Sequence, residues 1–230
     1  MACQQNSQPS KSVPLENKEL ANDTAHSYTI TRASLEDFTR AQKSFIDAIQ
    51  YDTLNYQKVK GEIKLPLSGK SSEFVRFTDS LVGTDNAAMR EFHYQGQLSK
   101  IGHYLVLGSF WEHAEFYLIN KQNGKSITLW GAPALSPNRK FVANSSALYG
   151  LEGEPNGIQI WRIDNSKSES GEALSIQKHL EIDQQMWAPD DFYWESDQSL
   201  IVKVAPVESY LNESGQPNEK DFYYLRLLLN

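Results

Sequence analysis

The chain has 230 residues, 40% of them apolar and 22% charged, which is enough for one globular core. A net charge of −7 and a pI near 5.3 disfavour nucleic acid or an anionic lipid surface as the main partner, because both demand a positive face, and no nucleic acid is expected. No apolar run approaches the ~20 residues of a membrane-spanning helix, and the single cysteine, Cys3, excludes an intrachain disulfide.

Residues 1–27 hold almost no apolar side chains and have the composition of a disordered tether. At their start, Met1-Ala2-Cys3 followed by Gln4-Gln5-Asn6-Ser7 resembles the end of a bacterial lipobox and the beginning of a mature lipoprotein. That resemblance implies lipid attachment at Cys3, a signal peptide encoded upstream of Met1, and an address in the cell envelope, periplasmic or surface. The alternative is a cytoplasmic protein whose third residue happens to be cysteine. Nothing basic surrounds Cys3, so a reactive thiol is not expected.

Residues 28–230 read as a single β-rich domain with one helix, predicted over 34–52. Ser34 can cap that helix, and Asp37 stands at the third position of a capping box. Leu35, Phe38, Ala41, Phe45 and Ile49 recur at steps of three and four, giving one apolar face, with Lys43 and Asp47 paired on the outer one.

Strands follow. Residues 58–67 alternate charged and apolar side chains, and Pro66 suits an edge. Residues 69–72 read as a loop; "SGKSS" lacks the leading glycine of a phosphate loop, so nucleotide binding is not expected. Strands are predicted over 73–80, 91–97, 101–110 and 114–120. Asn123-Gly124 is the strongest hairpin signal, joining 116–119 to 127–130.

The most informative stretch runs from Ile127 to Asp164. In Ser136-Pro137-Asn138-Arg139, proline presets the turn and Asn138 tolerates its third position. Strands then begin at Phe141 and occupy Ile158–Ile163. "SPNRKFVANSS … GIQIWRID" resembles one blade of a β-propeller, with Asn138-Arg139 where that family usually has Asp-Gly. The whole segment also resembles uncharacterised lipoproteins of Bacteroidetes-type bacteria, a group that implies an address and no activity. Strands over 173–182, 192–195, 200–207 and 221–229 complete the chain. The expected fold is mainly β, an antiparallel meander of propeller-like, sandwich or barrel type. Turn-plus-strand units recur near Gly102, Ser136 and Pro189, and a closed propeller needs at least four of them.

No constellation of catalytic residues stands out. There is no G-x-S-x-G elbow and no H-x-H or H-E-x-x-H pair, so neither a catalytic serine nor a metal or other cofactor is expected. His93, His103 and His113 are expected to be partly exposed strand histidines, with Glu115 able to share a face with His113. Trp130, Trp161, Trp187 and Trp194 are expected in the core. Recognition falls to loops on a rigid scaffold, with Tyr149, Glu152, Glu154, Asp190 and Asp191 as the candidate ligand-binding residues. The expected function is a non-catalytic envelope module binding an unknown protein or glycan. The alternative is a glycan-acting hydrolase that uses loop carboxylates as acid and base.

Overall fold

The computed structural model describes residues 28–147, 154–164, 174–212 and 214–230. It is mainly β and antiparallel, as the strand patterning requires, and among the described residues no sheet closes into a barrel. The described strands are β1 (Tyr28–Ala33), β2 (Glu62–Leu67), β3 (Lys70–Thr78), β4 (Arg90–Leu98), β5 (His103–Phe110), β6 (Ala114–Asn120) and β7 (Ser126–Leu129). Then come β8 (Ala134–Leu135), β9 (Phe141–Ala147), β10 (Asn156–Asp164), β11 (Ser175–Asp183), β12 (Trp187–Trp194), β13 (Ser199–Pro206) and β14 (Tyr223–Leu229). Helix α1 is Leu35–Ser44.

Three four-stranded sheets result, ordered β4-β5-β6-β7, β11-β10-β9-β8 and β1-β14-β13-β12, plus the hairpin β2-β3. The first two are uninterrupted meanders. The third takes its fourth strand from β1, paired with β14 from Tyr28↔Leu229 to Ala33↔Tyr224. The second meander is the blade-like stretch of the sequence. Its polar turn is held by Ser136, whose hydroxyl accepts from Phe141 N–H at 3.0 Å and Lys140 N–H at 3.2 Å. The meanders start at Arg90, Ala134 and Trp187, so the first unit opens earlier than its recurrence near Gly102 suggested.

These elements stack as layers. Phe38 and Ala41 of α1 pack on Ile201, Tyr193 and Tyr224. The other face of that sheet, through Leu200, Val202, Val204, Leu225 and Leu227, meets Ile158, Ile160 and Leu180. The opposite face of β10, with Trp161 and Ile163, meets Leu98, Leu105, Leu118 and Leu129. Tyr94, Tyr104, Val106 and Ile119 then cover Ile63 and Leu65 of the hairpin. The first two meanders are therefore covered on both faces, the third sheet on its outer face only where α1 lies, and neighbours on one strand serve different cores. That explains the nearly continuous apolar runs of β5, β10 and β13.

Several boundaries differ from the sequence reading. The helix predicted over 34–52 ends at Ser44; Phe45 is already extended. Residues beyond it run along β4, where Gln50 bridges Gln97 so closely that a Cβ on Gly96 would meet the Gln50 carbonyl at 2.5 Å. Gly96 also has φ +143°, so the position suits only glycine. Asp47 pairs with Ile49 N–H and the Tyr51 hydroxyl. The residues read as a loop at 69–72 are partly strand, because the β2-β3 turn is tight and Gly69 is left-handed. β12 begins at Trp187, five residues before the predicted start, with Pro189 beside a bulge.

Candidate functional site

β5 and β6 are joined by a short turn closed by Phe110 N–H on the His113 carbonyl at 2.9 Å. The turn presents Trp111, which is 49% exposed. The His113 ring stacks on Phe110 with centroids 4.8 Å apart and planes at 15°. Two carboxylates bracket that ring. Glu115, two residues along β6, lies 3.7 Å from Nε2, and Glu154 lies 3.7 Å from Nδ1. Glu154 precedes β10, so it reaches His113 from the neighbouring sheet. Glu115 also accepts from the Tyr117 hydroxyl at 2.7 Å, and burial together with that bond raises the Tyr117 pKa. Among the described residues neither carboxylate has a lysine or arginine partner. A partly exposed pair of acceptors can take hydroxyl or amine donors, and the exposed indole in the same turn offers a flat apolar face.

Of the sequence candidates, Glu154 thus joins His113 and Glu115. Tyr149, Glu152 and Cys3 lie outside the described residues. Asp190, beside the β12 bulge, is bound by Lys203 Nζ at 2.7 Å. The Asp191 carboxylate accepts from the Phe192 N–H at 2.8 Å. Trp161, Trp187 and Trp194 are buried as expected, and Trp130 is half-buried. His93 is partly exposed and touches Glu91 at 3.1 Å. His103 departs from expectation: it is 3% exposed, and burial pushes its pKa down to about 4.

Sequence reasoning missed a second polar cluster, where residues 50–56 lie against β4. Asp52 accepts from the Tyr94 hydroxyl at 2.7 Å, Gln97 Nε2 at 2.5 Å and Asn55 Nδ2 at 2.8 Å. Lys121 Nζ donates to Gln97 Oε1 and sits 4.6 Å from the Tyr104 ring centroid. Tyr56 stands edge-on to both Tyr94 and Tyr104, at 5.0 and 5.2 Å. No spacing signal marks this cluster, because its members come together only through the pairing of β4, β5 and β6. No helix among the described residues is long and apolar enough to cross a membrane. No protein-family model, curated protein or solved structure matches the chain.

Proposed function

We propose that the chain is a non-catalytic, envelope-associated binding module that takes a glycan or protein partner at the patch formed by Trp111, His113, Glu115 and Glu154. The observation that carries this reading is the meeting of Glu154 and His113 from adjacent sheets at the turn that exposes Trp111. Such loops on stacked sheets hold their side chains in place before a partner arrives, which limits the entropy lost on binding. The context of Cys3 and the polar composition of residues 1–27 support placement at a membrane surface through a lipid anchor.

The test is a glycan array alongside capture from envelope extract, run with wild type and with a Trp111→Ala/Glu154→Ala variant. Binding that falls at least tenfold in the variant is the expected result. Silence of the wild type in both assays, or binding the variant retains, counts against the patch. Expression of the natural gene with its upstream codons, in cells fed a clickable fatty acid, addresses the anchor separately. An unlabelled product removes it.

A further inference from the structure

The Asp52 cluster places an amine, a carboxamide and a carboxylate in sequence. Lys121 Nζ is on the carbonyl oxygen of Gln97, while the nitrogen of the same carboxamide donates to Asp52 Oδ2 at 2.5 Å. The other Asp52 oxygen is fixed by Tyr94 at 2.7 Å. Tyr94 and Tyr104, 7% and 4% exposed, flank the group, which is itself half-buried. Burial lowers the Lys121 pKa, which enlarges the fraction of free amine. An amine on the carboxamide oxygen, one bond from the carbon it would attack, with a carboxylate on the leaving nitrogen, brings together the groups that acyl transfer requires.

We propose that Gln97 and Lys121 become joined by an intramolecular amide bond, with Asp52 carrying the proton. The lone pair of the Lys121 amine attacks Cδ of Gln97 and forms the new C–N bond. One N–H proton passes through the Asp52 carboxylate to the original amide nitrogen. The old C–N bond then breaks and ammonia leaves. No oxidant, metal or other reactant enters. The product ties β4 to the turn after β6 and encloses residues 97–121.

The experiment is an intact-mass measurement and a tryptic map of the purified full chain. The expected wild type is lighter than its sequence by about 17 Da, the mass of one ammonia lost to the lysine nucleophile. Trypsin then fails after Lys121, and the peptide containing Gln97 is found attached there. Lys121→Arg and Asp52→Asn return to full sequence mass with unchanged circular dichroism. Ammonia loss by ring closure at Asn123-Gly124 is distinguished because it persists in Lys121→Arg. Wild type at full sequence mass with normal cleavage after Lys121 overturns the proposal, as does a deficit that survives in Lys121→Arg.

Discussion

At the start of β5 the His103 imidazole is buried, and its Nδ1–H donates to the Ile101 carbonyl at 2.7 Å. Burial disfavours the cation, so the folded pKa of about 4 lies below the unfolded value near 6.5. Between those values the unfolded chain holds more protons. Stability is therefore complete above about pH 6.5 and falls as pH drops toward 4, by on the order of 3 kcal/mol. Urea midpoints measured across pH 7.5 to 4.5 should decline for wild type and be flatter for His103→Gln; parallel profiles would remove the assignment. Asp52 and Glu195, both lowered, lose their contributions only at more acid pH. Sequence could place His103 on a strand but not bury it. Strand alternation separates His103 and Leu105 from Tyr104 and Val106, and only the stacking of sheets on both sides shows that neither set faces water.

At the scale of elements, α1 shows what local chemistry encodes and where it stops. Its start was legible: Ser34 Oγ accepts from Asp37 N–H and Asp37 Oδ2 from Ser34 N–H, both at 3.1 Å. Its end was not, because the apolar period continues through Phe45 and Ile49. Those two side chains serve different layers. Phe45 packs on Tyr193 with centroids 5.4 Å apart, while Ile49 joins the core between the first two meanders. A continued helix would hold both on one face, so tertiary packing overrides the period. Charge then fastens α1 to its sheet, with Arg226 on Glu195 at 2.8 and 2.9 Å and on Asp37 at 3.1 Å. Ser34→Ala should cost about 1 kcal/mol through the lost cap. Phe38→Ala should cost roughly 3–5 kcal/mol, because a ring leaves a packed cluster. Equilibrium denaturation checks both, and equal costs would contradict the packing described.

Across the whole molecule, the layer order was less readable than the strands. The blade-like stretch around Ser136 announced one meander, and most later strands were found in sequence. The role of β1 was not visible: six residues with half-exposed alternation look like the end of a tail. Its meaning comes from β14, which it covers from Tyr224 to Leu229. Removing residues 1–33 should leave Leu225, Leu227 and Leu229 on an open sheet edge. Size-exclusion chromatography of that truncation should show aggregates at concentrations where the full chain is monodisperse. A stable monomer with unchanged thermal unfolding would mean that β1 is dispensable.

The pairing of β1 with β14 also imposes an order in time. Tyr28–Ala33 leaves the ribosome before every other described strand, and its hydrogen-bonding neighbour leaves after all of them. β1 must remain unmatched until β14 has been made, so the sheet they share cannot close before then.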